Sequence, residues 1–258
     1  MKKSDAPRLA SNRMPPGYVE MPVRAALADR VVCTWVDATR ADRHPVLPDA
    51  CIDLVWDGTE LTVAGPDTHA WPIEADATFV GIRFRPGAAP GLLGVPASEL
   101  VDRATPLLDL WGRALAEEIA DRLSVAGAAA PSLLEEVVAA RFAQASTPDP
   151  IVHALIAELR RPGAGVQDAA ERLGLSPRSL HRRATAALGY GPKTLERIIR
   201  FRRALRLVRS SRLGLAEAAY RAGYADQAHL TNEFRRLGGA TPRALSSGGR
   251  LVRTASGF

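Results

Sequence analysis

The sequence predicts an α+β protein of two domains: an N-terminal antiparallel β-sandwich or barrel with trailing helices, followed by an all-α domain of two similar units joined by a linker helix. Three observations support this prediction. Apolar residues alternate with a period of two between about residues 18 and 86, they follow helical spacing from residue 107, and the net charge changes sign between the two halves. We expect domains at residues 1–146 and 147–245, with a flexible tail at 246–258.

Length and composition limit the class of protein. The chain has 258 residues, of which 47% are hydrophobic and 24% are charged, so it can bury real cores and is not wholly disordered. No run of about 18 apolar residues occurs, and the first residues lack the apolar stretch of a signal peptide, so we expect neither a membrane span nor export. The two cysteines, Cys33 and Cys51, make no disulfide framework, which favours a reducing cytoplasm.

The charge is divided unevenly along the chain. Residues 1–150 contain 14 basic and 21 acidic side chains, a net charge of −7, whereas residues 151–258 contain 20 and 7, a net charge of +13. Nineteen of those 20 basic side chains are arginine, whose planar guanidinium donates two parallel hydrogen bonds to phosphate or carboxylate. The split predicts a polyanionic partner for the second half, and charge alone fits either a nucleic acid or a phospholipid surface.

Several short strands are predicted in the first domain, after a loose proline-rich arm over residues 1–17. They are Val31–Val36, Cys51–Trp56, Leu61–Ala64 and Thr78–Arg85, with Asp57-Gly58 as a hairpin turn. Helices are predicted over Leu107–Leu123 and Ser132–Gln144. The segment Ala145–Pro150 is the expected linker, because proline and small polar residues interrupt the helical pattern there.

The second half contains one unit twice. The first copy is Val166–Arg183 and the second is Leu215–Asn232, with Gly174 corresponding to Gly223. Each copy has a short helix, a glycine that can adopt positive φ, and then an N-cap residue that begins a second helix. This is the helix-turn-helix arrangement, whose second helix can enter the major groove of DNA.

The second helix of each copy follows a cap, Ser176 or Asp226, and has one apolar and one polar face. The side chains predicted to face inward are Leu180, Ala184, Leu188, Leu230, Phe234 and Leu237. Those predicted to face outward are Arg178, His181, Arg182 and Thr185, then Gln227, Ala228, Thr231, Asn232 and Arg235. Arginine can bind the edge of guanine, and asparagine or glutamine that of adenine, so the outward faces include residue types that read the major groove.

A cationic helix is predicted between the two copies, over Thr194–Arg209. Its apolar stripe consists of Ile198, Phe201, Leu205 and Val208, within an arc of about 80°. Around the other side lie the arginines Arg200, Arg202, Arg203, Arg206 and Arg209. A helix of this kind buries one stripe against both units, and a separation of about 34 Å would let both second helices enter successive segments of one groove.

The arginines of this helix, Arg200, Arg203 and Arg206 in particular, would then meet phosphates between the two recognition helices.

The same sequence features leave open one function of a different class. Paired short helices also build protein-binding bundles, and arginine-rich faces are often only solvated. A basic protein-interaction module without sequence-specific DNA binding is that alternative.

The residues of this half resemble the AraC/XylS family of bacterial transcription regulators over about residues 150–245. The likeness is carried by Leu173–Arg182 in the first unit, Gly189–Lys193 at the linker helix, and Ala218–Leu230 with Phe234–Pro242 in the second unit. The resemblance implies base or groove contacts by Arg178, His181, Arg182, Gln227, Ala228, Thr231 and Asn232.

Four positions depart from the family pattern. Ala184 and Gly238 stand where the family usually places an aromatic residue, so we expect looser packing behind both recognition helices. Asn232 replaces a frequent arginine, and Ala228 offers no side-chain hydrogen bond, so we expect the second helix to read bases weakly.

The N-terminal half resembles an uncharacterised domain that precedes this DNA-binding unit in some regulators, on residues 48–56, 64–66, 81–87 and 110–112. In relatives with this layout the first domain is commonly a cupin-like sensor or dimerisation module, and the resemblance implies the same role here.

Four polar residues of the first domain are candidates for a metal or effector site. They are His44, Asp49, Cys51 and Asp53. Because no closely spaced ligand pair of a zinc site is present, we predict no metal and no cofactor. Cys51 is expected in the core and both aspartates in turns or at the surface, with a polar pocket as the alternative. Arg83 and Arg85 share a strand face, where they either bind an anionic effector or pair with nearby surface acids.

No sequence motif for an enzyme is present: the chain lacks the G-x-S-x-G elbow, the phosphate-binding loop, H-E-x-x-H and the dinucleotide fingerprint. We therefore predict a cytoplasmic, sequence-specific regulator of transcription, an activator or a repressor, that binds double-stranded DNA with two recognition helices. The resemblance also implies a small-molecule effector, a homodimer and contact with RNA polymerase.

Overall fold

The computed structural model describes residues 17–38, 45–72, 77–210 and 213–247. A sheet with several helices forms the N-terminal domain, and helices alone form the C-terminal domain, as the sequence predicts. His44, the arm before residue 17 and the tail beyond residue 247 lie outside the described residues.

Among the described residues, six strands form one antiparallel sheet in the order β1-β2-β5-β3-β4-β6. The strands are β1 (Tyr18–Met21), β2 (Val31–Asp37), β3 (Ile52–Trp56), β4 (Leu61–Ala64), β5 (Phe79–Phe84) and β6 (Ala104–Pro106). The four predicted strands agree with β2 to β5 within one residue at each end. The strand pattern predicts a sandwich or a barrel, but the structure has a single sheet, because the layer packed on it consists of helices.

Helices cover one face of the sheet and complete the core of the first domain. They are α1 (Ala89–Leu93), α2 (Leu107–Trp111), α3 (Arg113–Ala126) and α4 (Ala130–Phe142). Alternation along β3 and β5 points Leu54, Ile82 and Phe84 to this face, where they are fully buried. The ring of Phe84 meets that of Phe142 edge-on, with 6.0 Å between centroids, and so joins the sheet to α4.

One continuous helical stretch among the described residues, Arg113–Phe142, is long and apolar enough to cross a membrane. Its side chains Ile119, Leu123, Leu134 and Val138 are buried in the core of the sheet domain. Since these side chains already pack against the sheet, the stretch serves as part of a core.

The opposite face of the sheet carries a buried ion cluster. The Nε and Nη2 atoms of Arg83 donate to the two carboxylate oxygens of Asp53, each at 2.9 Å, and the Nη1 atom lies 3.7 Å from Glu20 and 3.8 Å from Asp49. Burial alone would lower the pKa of Arg83, but the carboxylates of Asp53 and Asp49 outweigh it and raise that pKa well above its ordinary value.

This cluster corrects the expectation of surface acids. Asp53 is 6% exposed and lies within β3, so it is neither a turn residue nor a surface residue. Asp49 is a turn residue, because its Oδ1 accepts the backbone N–H of Cys51 at 2.9 Å, yet it is buried as well. Cys51 is buried in the core, as predicted.

Seven helices form the part of the C-terminal domain that the structure describes, up to residue 247. They are α5 (Pro150–Leu159), α6 (Val166–Arg172), α7 (Pro177–Leu188), α8 (Pro192–Ser210), α9 (Leu215–Ala222), α10 (Gln227–Gly238) and α11 (Pro242–Ser247). They build two small cores, and α8 belongs to both: Leu195 and Ile198 lie in the first, and Phe201 and Leu205 lie in the second. Because α8 crosses both cores, it joins the two units along one helix axis.

Replacing Asp53 by alanine leaves the buried guanidinium of Arg83 without its bidentate partner. We expect the free energy of unfolding to fall by about 3–5 kcal/mol, the usual cost of breaking a buried ion pair from one side. Chemical denaturation followed by circular dichroism measures the change. The double variant Asp53→Ala with Arg83→Met removes both charges and should regain most of the loss; a double variant no more stable than the single one would contradict this account.

The stability of the protein should also fall with rising pH. Burial raises the pKa of the Cys33 thiol from 9.0 to about 12, although the guanidinium of Arg83 lowers it. The unfolded chain therefore loses this proton near pH 9 and the folded protein only near pH 12. Between these values the folded state binds more protons, so this thiol lowers the free energy of unfolding by about 1.4 kcal/mol per pH unit. Its full contribution is present below pH 9.

Urea denaturation of the wild type and of Cys33→Ala at a series of pH values tests this expectation. The variant should show the shallower decline in the window from pH 9 to pH 12, and identical declines for the two proteins would exclude the thiol as the titrating group.

Candidate nucleic-acid interface

Helices α6 and α7 form the first helix-turn-helix unit. The turn between them contains Gly174, whose φ of +64° lies in the left-handed region that glycine adopts at least cost. Ser176 caps α7, because its Oγ accepts the backbone N–H of Ser179 at 3.2 Å. Pro177 occupies the first helical position, where no N–H is needed. The predicted cap and turn are thus confirmed.

Helices α9 and α10 form the second unit with the same local geometry. Gly223 ends α9 with a φ of +87°. Asp226 is the predicted cap of α10, and its Oδ1 accepts the backbone N–H of His229 at 2.7 Å. A carboxylate at this position also interacts favourably with the positive end of the helix dipole.

The inward faces of both recognition helices are buried as predicted. None of the six side chains is more than 2% exposed: Leu180, Ala184, Leu188, Leu230, Phe234 and Leu237. Phe234 meets Phe201 of α8 edge-on, with ring centroids 5.0 Å apart. This packing fixes the rotation of α10 about its axis and hence the direction of its outward face.

The structure leaves most of the predicted base-contacting residues at the surface. Arg178, His181, Arg182, Gln227, Ala228 and Asn232 are exposed. Thr231 is only partly exposed, and its hydroxyl donates to the carbonyl oxygen of Gln227 at 2.8 Å, so that hydroxyl already has a partner in the helix.

His181 lies against its own domain as well as solvent. A Cβ atom on Gly191 would come within 2.7 Å of the His181 Nε2, so the glycine at this position lets the ring approach the backbone before α8. The Nδ1 atom is 3.4 Å from the Thr185 hydroxyl. These contacts place the imidazole beside the turn before α8, while the residue stays exposed.

The first turn of α7 borders an open pocket of about 480 Å³. Its lining consists of Ser176, Arg178, Ser179, His181 and Arg182. A helix N-terminus offers free backbone N–H groups and a positive dipole end, and two arginines add full charges, so this pocket suits a phosphate or another oxyanion.

Both recognition helices end against the N-terminal domain. At Gly189, which ends α7, an added Cβ atom would lie 2.4 Å from Val101 Cγ2 and 3.0 Å from Pro66 Cγ. At Gly239, which ends α10, an added Cβ atom would lie 3.6 Å from Ala70 Cβ. Since the same domain meets both C-terminal ends, the first turns of α7 and α10 lie at the ends away from that domain.

Two ion pairs hold the recognition helices in place, and no pattern in the sequence predicts these pairs. Arg183 Nη1 donates to both carboxylate oxygens of Asp149 at 3.0 Å, which ties α7 to the start of α5. Arg197 makes two hydrogen bonds of 2.9 Å with Glu233, which ties α8 to α10. Bidentate geometry fixes orientation as well as distance.

The three arginines expected to contact phosphate differ in their surroundings. Arg200 pairs with Glu196 and lies over the ring of Tyr224, at 5.6 Å from its centroid. Arg203 donates to the carbonyl oxygen of Arg160 at 2.7 Å, and burial lowers its pKa, as do the charges of Arg206 and Arg200. Arg206 is exposed on α8. Arg200 and Arg203 line one groove of about 180 Å³ together with Arg161.

Arg202 does not lie on the solvent side of α8, where the sequence analysis places it. It is 5% exposed, and burial lowers its pKa, although Asp49 and Cys51 of the first domain act in the opposite direction. The apolar positions Leu195 and Ile199 extend the buried arc of α8 beyond the predicted stripe and bring Arg202 within it. The helical positions of Leu195 and Ile199, seven and three residues before Arg202, are the sequence signal for its burial.

The predicted loose packing behind α10 is wrong at Gly238. An added Cβ atom there would lie 2.5 Å from Leu245 Cδ1 and 3.2 Å from Phe201 Cζ, so neighbouring side chains occupy the space of the missing aromatic ring. Ala184, the other position where the family places an aromatic residue, is fully buried on the inward face of α7.

Asp49, Cys51, Asp53 and Arg83 line a small pocket of about 60 Å³, so the polar pocket that the sequence left as the alternative is present. Arg83 pairs with acids as the sequence analysis allowed, but in the interior, and Arg85 donates its Nε to the carbonyl oxygen of Ala28 at 2.7 Å. Within the ranges that the structure describes, no three histidine, cysteine, aspartate or glutamate side chains are grouped so that they could hold a metal ion.

Fold and surface together define a class: a two-domain protein whose C-terminal part is a double helix-turn-helix domain. Residues 169–247 match the model of a helix-turn-helix domain, and residues 19–106 match that of a domain of unknown function (DUF6597). These matches confirm the resemblance: residues 169–247 are a helix-turn-helix domain of the AraC type, preceded by a separate sheet domain.

Curated relatives match the C-terminal part. The chain is 42% identical over 72 residues to the HTH-type transcriptional regulator GlxA of Rhizobium meliloti (strain 1021), covering 28% of this chain and 22% of that protein. It is 34% identical over 79 residues to the HTH-type transcriptional activator RhaS of Escherichia coli O139:H28, covering 31% and 28%. The matched part is less than a third of the length of these relatives.

Among solved structures, the chain is similar to ToxT from Vibrio cholerae O395 bound to (E)-4-(8-methylnaphthalen-1-yl)but-3-enoic acid. The two chains are 12% identical, with a TM-score of 0.43 over 89% of this chain and 97% of that chain.

Replacing Asp226 by alanine removes the side-chain cap of α10. We expect the C-terminal domain to lose about 1 kcal/mol of stability, because the N–H of His229 is left to water alone. Thermal unfolding measures this loss. Asp226→Asn keeps an oxygen acceptor at the same place and should cost much less, and equal losses for the two variants would show that the cap bond itself is unimportant.

Proposed function

We propose that this protein is a sequence-specific DNA-binding regulator of transcription. Helices α7 and α10 enter successive major-groove segments on one face of double-stranded DNA. Arg178, His181 and Arg182 contact one segment, and Gln227, Ala228, Thr231 and Asn232 contact the other. The protein regulates transcription and catalyses no reaction.

The observation that carries this proposal is the common placement of the two recognition helices. Both C-terminal ends meet one domain, and both first turns, rich in polar side chains, lie at the far ends. Each helix has 12 residues and is therefore about 18 Å long, so its first turn stands well clear of the sheet domain. Two helices braced in this way would present their first turns to successive segments of the major groove of one duplex.

Phosphate contacts are assigned to Arg200, Arg203 and Arg206 on α8. The first two have partners within the protein, so on binding DNA they exchange or share these partners, and Arg206 is exposed on α8. Such contacts add affinity without sequence preference and make it dependent on salt.

The sheet domain receives the controlling signal in this proposal. It binds a small-molecule effector or a second copy of the chain, and the change alters DNA binding or contact with RNA polymerase. The position of this domain at the ends of both recognition helices supports such control. The protein acts in the cytoplasm, where bacterial DNA lies.

Selection of bound sequences from random DNA, followed by fluorescence anisotropy, tests the proposal. We expect the selected duplex to bind at least about 1,000-fold more tightly than random duplex at physiological salt. Equal affinity for both duplexes, or binding only to acidic proteins, would instead support a basic protein-interaction module.

Arg182→Ala should weaken binding to the selected duplex by about 1–3 kcal/mol and leave binding to random DNA nearly unchanged, because the lost contact is to a base edge. Arg113→Ala on α3 removes the same charge far from the recognition helices and is the matched control. An equal loss on both duplexes would remove Arg182 from base recognition.

Arg206→Ala should weaken binding to selected and random DNA alike. The slope of log affinity against log salt concentration should become shallower by about one unit, since one fewer counterion is released. A titration of affinity between about 50 and 200 mM salt measures this slope, and an unchanged slope would place Arg206 away from phosphate.

A further inference from the structure

A short segment of the sheet domain lies between the two helix-turn-helix units. Residues 46–51, which we call the wedge segment, precede β3 and are held at their start by Val46, whose backbone makes two hydrogen bonds of 2.8 Å with Trp71. At their end they continue directly into β3. Both ends of the segment are therefore anchored in the sheet domain.

The wedge segment contributes one apolar side chain to each core of the C-terminal domain. Leu47, 1% exposed, lies in the core of the second unit with Phe201, Leu205 and Phe234. Ala50, 2% exposed, belongs to the core of the first unit. Each unit thus packs against α8 and also against a common external support.

A buried charge lies between these two contacts. Arg202 of α8 is 5% exposed, and the carboxylate of Asp49 in the wedge segment acts on it electrostatically. Asp49 also lies 3.8 Å from Arg83 Nη1 within the sheet domain. A buried guanidinium is costly unless acids lie near, so this arrangement favours one position of α8 relative to the sheet domain.

We propose that the wedge segment fixes the separation of the two recognition helices and thereby selects the spacing between the two halves of the DNA site. Leu47, Ala50 and Asp49 act as positioning residues that touch no DNA. The linker helix α8 contacts each unit from one side, and with this contact alone each unit could rotate about the helix. The wedge segment adds a second contact to each unit and so restricts this rotation. This inference rests on the proposed function.

Changing the spacing of the DNA site tests the inference. One extra base pair between the two halves moves one half by about 3.4 Å and turns it by about 34°, which a rigidly held pair of helices cannot follow. We expect the wild type to lose at least about tenfold in affinity on this insertion. Leu47→Ala, which loosens the second unit, should lose less than about threefold relative to its own binding at the original spacing.

Two further variants keep this test independent of general destabilisation. Leu61→Ala removes a similarly buried leucine from the core of the sheet domain and should retain the full spacing penalty. Asp49→Asn keeps the shape of the wedge segment but removes the charge near Arg202, and should reduce the penalty. If Leu47→Ala and Asp49→Asn both fold and both keep the wild-type penalty, the inference is wrong.

A measurement without DNA separates this inference from the proposed function. Spin labels attached through Ala186→Cys on α7 and Arg236→Cys on α10 report the distance between the recognition helices, since both positions are exposed and the two native cysteines are buried. We expect a narrow distance distribution in the full-length protein and one about twice as broad with Leu47→Ala. Equal widths would overturn the wedge segment's role, whatever the protein binds.

Discussion

The packing of α8 into both C-terminal cores is the constraint on which the arrangement of the recognition helices depends. Leu195 and Ile198 near its start pack with the first unit, and Phe201 and Leu205 pack with the second. An α-helix rises about 1.5 Å per residue and resists bending, so the side chains that α8 buries hold both units to one axis. The outward faces of α7 and α10 take their positions from these contacts together with those of the wedge segment.

Buried charges at the contact between the two domains add to these apolar contacts. Arg83 pairs with Asp53 inside the sheet domain, and the carboxylate of Asp49 acts electrostatically on Arg202 of α8. Charges removed from water tolerate little displacement, because each loses the partners that offset its desolvation. Apolar cores supply most of the cohesion, and these buried ions specify one register between the domains.

Much of the fold and of the candidate site follows from local sequence patterns. The period of two locates β2 to β5, and the caps Ser176 and Asp226 locate the recognition helices, because both signals depend on neighbouring residues alone. The two pairs Arg183–Asp149 and Arg197–Glu233 join residues more than 30 positions apart, and no local pattern reports such a meeting. The burial of Asp53 depends likewise on Arg83, a partner on another strand, so composition alone places it wrongly.

The way the domains are joined separates the acidic half of the chain from the basic half in space. The acidic half lies at the C-terminal ends of α7 and α10, while the basic half carries the first turns on the far side. The half of the chain that carries the recognition helices therefore has the opposite net charge from the half that precedes it. Within the reach of about 8 Å that physiological salt allows, a polyanion attracts the basic half and repels the acidic half, which favours encounters at the recognition helices.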